Sequence, residues 1–200
     1  MGADSYSLPD FWDYKPGGVR WNYFRNTNMA HSSISIDNKI AYSSGQGENA
    51  GFMKEGLQPW GIFDLSPCYP DQAVSVKRGF RLLSPTSILV RDEIALKPDA
   101  RKVSWRFITR ADVKVNGNTA TLSQNGKFFY IKCLLPGGFK LQVVAAKPWS
   151  KEEKSIEGVN MVEITIDATG PLVSIPVLLG NSMDGSDRFL KANLPLKEWK

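Results

Sequence analysis

One histidine serves the whole 200-residue chain, and it lies in the run Arg25-Asn26-Thr27-Asn28-Met29-Ala30-His31-Ser32-Ser33-Ile34-Ser35-Ile36-Asp37-Asn38. From His31 to Asp37 the residues alternate, with Ile34 and Ile36 on one side and His31, Ser33, Ser35 and Asp37 on the other. A period of two marks a half-buried β-strand, so the imidazole belongs to its polar side. A neutral imidazole there can donate a proton, accept one or ligate a metal. The plain alternative is a surface histidine held by a neighbouring hydroxyl.

Other chemical signatures are few. There is no Gly-x-Ser-x-Gly, no phosphate-binding Gly-rich loop and no usefully spaced carboxylate pair. Cys68 and Cys133 permit one disulfide without requiring it, and no Cys-x-x-Cys spacing offers a thiolate metal site. Trp12, Trp21, Trp60, Trp105, Trp149 and Trp199 could stack on sugars or fill a core.

The elements that position these residues read as strands. Residues 1–18 form an aromatic, Gly- and Pro-containing loop. A strand is expected at Val19–Arg25, paired with Ser32–Asp37, and Asp37-Asn38 turns the chain into a short strand at Ile40–Tyr42. Ser43–Gly51 reads as a polar loop, and Phe52–Asp71 shows no clear period. Strands follow at Ala73–Leu83 (with a bulge or bend at Gly79), Ile88–Ile94 and Val103–Arg110. Two hairpins are expected at Asn116-Gly117 and Asn125-Gly126, because Asn-Gly tolerates the positive φ of tight turns.

Phe139–Ala146 and Met161–Asp167 read as further strands, and Lys151–Ser155 as a helical turn capped by Ser150. Pro176 places Val173–Leu179 at an edge or in a bulge. About twelve short strands with almost no helical period imply an all-β fold, an antiparallel β-sandwich of two large sheets. Residues 1–200 read as one domain, with 181–200 a loose tail or a segment packed on a sheet.

Composition is that of a globular protein, 42% hydrophobic and 22% charged. No apolar run approaches the ~20 residues of a membrane-spanning helix, and the N-terminus lacks the pattern of a signal peptide. Net charge is +5. Lys102, Arg106 and Arg110 would share one strand face opposite Val103, Trp105 and Phe107, and Lys77, Arg78 and Arg81 make a second group. Such a stripe either attracts an anionic polysaccharide or is a solvated strand face. No nucleic-acid-binding signature accompanies it.

The aromatic stretch carrying Arg25, followed by Ala30-His31-Ser32-Ser33-Ile34-Ser35-Ile36-Asp37, resembles the "Arg … His-Asn-Thr-Leu-Val-Ile-Asp" segment of heparinase II/III-like polysaccharide lyases. Gly2-Ala3-Asp4-Ser5-Tyr6 is similar to the Gly…Tyr segment upstream of it. Ser87-Ile-Leu-Val-Arg-Asp-Glu-Ile94 and Val103-Ser-Trp-Arg-Phe-Ile-Thr109 look like later strands of the family's C-terminal β-sandwich.

The resemblance implies β-elimination on a uronic-acid polysaccharide such as a glycosaminoglycan, with a periplasmic or secreted location. That reaction removes the C5 proton and expels the 4-O-linked sugar. It needs a base, an acid and a group that neutralises the carboxylate. In the family an N-terminal helical toroid supplies an Asn, a Tyr and often a His. The toroid has no counterpart in these 200 residues, so the chain is expected to line the substrate cleft without being catalytic alone.

By the same resemblance, in which a Tyr and an Arg face the sugar, the candidates are Tyr6, Tyr14, Tyr23 and Arg25, the Arg through a bidentate contact with the sugar carboxylate, while core or sheet-face packing is the alternative for each tyrosine. His31 matches a metal ligand of zinc-binding members. Zinc takes at least three protein ligands, so His31 with carboxylates such as Asp4 would need ligands from upstream of Met1. A non-catalytic carbohydrate-binding module and a purely structural sandwich are the alternative readings.

Overall fold

The computed structural model describes residues 6–182 and 193–199. Twelve strands form two antiparallel sheets, joined by short turns. They are β1 (Ile34–Ile36), β2 (Glu48–Met53), β3 (Trp60–Asp64), β4 (Ala73–Ser84), β5 (Ser87–Leu96), β6 (Lys102–Thr109), β7 (Asp112–Asn116), β8 (Thr119–Gln124), β9 (Lys127–Cys133), β10 (Lys140–Ala145), β11 (Asn160–Asp167) and β12 (Leu172–Gly180). The smaller sheet runs β1-β6-β11-β10 and the larger β2-β3-β4-β5-β12-β9-β8-β7.

Strand alternation builds the core between them. Ile34, Ile36, Val103, Trp105, Val162 and Ile164 of the small sheet pack against Val76, Ile94, Ile131, Ile175 and Val177 of the large one. Each fully buried aliphatic side chain contributes about 1.5–3 kcal/mol relative to exposure. The all-β sandwich expected from the sequence is the observed fold.

The second Asn-Gly turn falls where expected: Asn125 (φ 51) and Gly126 (φ 72) link Gln124 to Lys127 in a two-residue hairpin. The first is shifted by one residue. Asn116 pairs with Thr119, so Gly117 (φ 56) and Asn118 make the turn.

Several expected elements differ. Val19–Arg25 is no strand but a series of 3-10 turns at Val19–Asn22 and Phe24–Asn26, followed by Asn28–Ala30. Polar side chains take over the backbone there: Asn26 Nδ2 donates to the Arg20 carbonyl and Thr27 Oγ1 to the Phe24 carbonyl. β1 therefore pairs with β6 instead, and Ile40–Tyr42 makes no strand. β2 runs from the end of the expected 43–51 loop into the stretch read as having no clear period, its alternation hidden by a bulge between Asn49 and Gly51. Lys151–Ser155 is a turn, not a helix, because Glu153 swings inward.

Pro176 occupies an interior strand without a bulge, between β5 and β9. Its carbonyl accepts from Leu134 N (2.9 Å), just past the end of β9. The missing N–H faces that same side, where the ladder is already ending, and costs one bond of a terminal pair.

Gly79 shows no bulge; it pairs in register with Ile62 and Arg91. Its role is close approach. A Cβ there would lie 2.4 Å from Leu196 Cδ2 and 2.7 Å from Trp199 Cζ3. Residues 193–199 are thus packed on the outer face of the large sheet, with Leu196 and Trp199 buried against Ile62, Leu89 and Leu178. The remainder of the expected 181–200 tail, 183–192 and 200, lies outside the described residues, as does Asp4. Gly79→Val is expected to cost about 1–3 kcal/mol by overpacking and to unseat Trp199. An unchanged denaturation midpoint with unshifted tryptophan emission would show that this segment does not dock there.

Candidate functional site

The residues with candidate chemistry lie on one strap, 6–31, whose 3-10 turns cross the outer face of the small sheet. That face is polar at its centre. Arg106 is buried there, donating from Nε to Glu163 Oε2 (2.8 Å) and from Nη1 to Ser35 Oγ (2.6 Å), while Gln142 Nε2 donates to Glu163 Oε1 (3.0 Å). Around it Phe24, Ala30 and Met29 of the strap pack on Ile156, Val159 and Met161. The middle member of each basic group seen in the sequence is paired and buried, Arg106 with Glu163 and Arg78 with Asp92, while Lys77 and Arg110 are exposed.

Glu153 fastens the strap. Its buried carboxylate accepts from the main-chain N–H of Phe24 (3.0 Å), Arg25 (3.3 Å), Trp149 (3.0 Å) and Ser150 (3.3 Å). Sequence reasoning missed it, although Ser150-x-x-Glu153 has the spacing of a capping box. Here the acid reaches the strap as well as its own turn.

Arg25 is 8% exposed, with Nη2 donating to the carbonyls of Lys154 and Ser155. Its guanidinium thus joins the strap to the 150s turn. Asn28 does the same for β1, donating to the Ile34 carbonyl (2.8 Å) and accepting from Ala41 N (2.8 Å).

His31 follows the last 3-10 turn, outside the β1 ladder, and is exposed. Its position is fixed by its neighbours. The Ser32 carbonyl accepts from Arg78 Nη1 (3.4 Å), and the Ile34 carbonyl from Tyr69 Oη (3.0 Å). Partial desolvation lowers the imidazole pKa below its ordinary value, while a hydrogen bond with the Arg25 main chain acts the other way. The ring is therefore neutral near pH 7. As the sole histidine it gives one isolated imidazole resonance, whose NMR titration midpoint is expected below the model-peptide value of about 6.5. Because the folded pKa is the lower one, its contribution to stability is complete above the unfolded pKa and is lost as pH falls through the folded one. A midpoint above the model value would contradict this placement.

Among the described residues, no three His, Cys, Asp or Glu side chains come together as a metal site. Zinc requires about that many protein ligands, so these residues alone do not fit it. Both cysteines are free thiols, and burial pushes Cys133 up to about 11.

Tyr6 and Tyr14 belong to an exposed aromatic group at the start of the strap, joined through Trp12. Beneath it Leu8, Phe11 and Tyr23 form a small core, and Tyr23 Oη donates to the Pro9 carbonyl (2.7 Å). The structure thus brings Tyr6 and Tyr14 together, and His31 to the Arg25 main chain.

No family model matches the chain, and no curated protein does. Solved structures do. It superposes on a heparinase III (the BT4657 gene product, with methylated lysines) at TM-score 0.63 and 14% identity, over 90% of this chain and 28% of that one. It also matches the heparan sulfate lyase HepC from Pedobacter heparinus at TM-score 0.59 and 11% identity, over 75% of this chain and 24% of that one.

The fold is that of the heparinase III β-sandwich.

A further heparinase III structure agrees, at TM-score 0.57 and 11% identity over 77% of this chain. The chain spans about a quarter of the length of these heparinase III-type structures. At such identities the likeness is one of fold. Among the described residues no helix is long and apolar enough to cross a membrane.

Proposed function

We propose that this chain is the substrate-facing sandwich region of a polysaccharide lyase that cleaves uronic-acid polysaccharide by β-elimination. The observation that carries the reading is the fold shared with heparan sulfate lyase and heparinase III structures over three-quarters or more of the chain. The strap resembling the family's His-containing segment supports it, because its aromatic group and His31 both reach solvent.

In this reading the strap lines one wall of the sugar cleft. Tyr6 and Tyr14 touch the sugar. Arg25 is a positioning residue, its guanidinium committed to the Lys154 and Ser155 carbonyls. A neutral His31 at the cleft margin is a ligand-type nitrogen for zinc if upstream strands complete the set. The described residues do not gather a base, an acid and a carboxylate-neutralising group, so the elimination chemistry belongs mainly to a helical toroid domain. A polymer of this kind is met outside the cytoplasm, so the reading carries with it a periplasmic or secreted location.

The test is heparan sulfate incubated with this chain alone and followed by the ultraviolet absorbance of unsaturated uronate. No product is expected, and adding a matching helical domain should produce it. Turnover by the chain alone would overturn the division of labour proposed here.

A further inference from the structure

The strap opens with a cluster of rings that the core does not absorb. Trp12 is 62% exposed, Tyr6 58% and Tyr14 54%. Tyr6 and Trp12 stack on one another (20°, centroids 5.8 Å apart), and Tyr14 lies 6.1 Å from Trp12 with its plane tilted by 55°.

We propose that Tyr6, Trp12 and Tyr14 form an aromatic platform whose outward ring faces stack on pyranose rings of a polysaccharide, held in shape by Arg20. The inference rests on the polysaccharide reading above and adds to it the binding surface and the mode of recognition.

Three observations carry it. The first is composition. All three exposed side chains are aromatic with a polar tip, and the Tyr6 and Tyr14 hydroxyls make no protein hydrogen bond among the described residues. A ring face takes the apolar C–H face of a sugar while the polar tip meets its hydroxyls, a pairing that aliphatic docking surfaces do not offer.

The second is rigidity. The Arg20 guanidinium lies 4.1 Å from the Phe11 ring centroid and 4.6 Å from that of Tyr14, and donates to the Phe11 carbonyl (2.9 Å). Trp21 Nε1 donates to the Lys15 carbonyl (2.9 Å), and the Asp13 carboxylate accepts from Val19 N (3.0 Å). A loop pinned this way loses little conformational entropy on binding.

The third is charge. In residues 6–21, Lys15 and Arg20 are balanced by Asp10 and Asp13. Stacking, not ion pairing, therefore dominates at the platform, and affinity there should change little with salt.

The experiment is calorimetric titration of the full chain with heparan sulfate oligosaccharides at low and high salt. Trp12→Ala and Tyr14→Ala are each expected to weaken binding about tenfold to a hundredfold. Trp12→Phe, which keeps a ring, should retain most of the affinity, and Tyr42→Ala, an exposed tyrosine elsewhere, all of it. Unchanged circular dichroism shows that the variants fold. If the chain binds but the two alanine variants bind equally well, the platform is refuted and the polysaccharide reading stands. If the unaltered chain binds no oligosaccharide, that reading fails and the platform with it.

Discussion

Glu153→Ala is expected to lower the unfolding free energy by about 3–5 kcal/mol, the largest loss from any strap-anchoring residue. Four main-chain N–H groups end on this one carboxylate. A buried donor left without a partner costs on the order of 1–3 kcal/mol, and water reaching part of the vacated space limits the sum. For a chain of this size the melting temperature should fall by roughly 10 °C. Glu153→Gln retains one accepting oxygen and should lose about half as much. Hydrogen exchange gives the specific signature, since the Phe24 and Arg25 amides should lose protection before the β6 and β11 amides do. A loss below about 1 kcal/mol would show that the strap is held by its apolar contacts instead.

Asp92→Ala is expected to cost a similar amount, about 3–5 kcal/mol, by a different route. Arg78 Nε and Nη2 donate to its two carboxylate oxygens (2.7 and 3.0 Å) on the inner face of β4 and β5, and Asp92 is fully buried. Burial works against the Arg78 charge, and Asp92 more than compensates, so the guanidinium pKa is raised. Removing the carboxylate leaves a buried cation with only the Ser32 carbonyl, at 3.4 Å. Replacing both partners, Arg78→Met with Asp92→Leu, should restore stability to near the starting value, because no charge is then left unpaired. A single variant as stable as the double one would contradict the account. Denaturant unfolding of both, at equal m-value, decides it.

Much of the fold was legible because the long strands obey simple rules. Val103, Trp105 and Phe107 in β6 and Val162, Ile164 and Ile166 in β11 recur at a spacing of two, and Asn125-Gly126 has one low-cost conformation. The strap was not legible for a physical reason. Val19-Arg20-Trp21-Asn22-Tyr23-Phe24-Arg25 has the β-branched and aromatic composition of a strand, yet Asn26, Thr27 and Glu153 supply the backbone partners that a ladder would have given. Gly79 and Pro176 show the same limit. Each has a meaning set by a segment distant in sequence, Leu196–Trp199 for one and the end of β9 for the other.

The candidate site divides along the same line. Alternation placed His31 on the polar side of a strand; the structure keeps it exposed but ends the 3-10 turn on it, and the strand begins only at Ile34. Arg25 was expected to face the sugar by resemblance to the family's segment. Only tertiary contact turns its guanidinium onto the 150s turn. The cationic stripe of Lys102, Arg106 and Arg110 loses its middle member similarly, since Arg106 is buried and paired with Glu163, 57 residues away.

The most direct test of the whole account is amide and side-chain NMR of the chain titrated with heparan sulfate oligosaccharides. Saturable shifts are expected to gather on residues 6–31, including the His31 imidazole, and to leave the outer face around Leu196 and Trp199 unmoved. Shifts confined to that opposite face, or none at saturating sugar, would contradict the claim that the strap is the wall of a polysaccharide cleft.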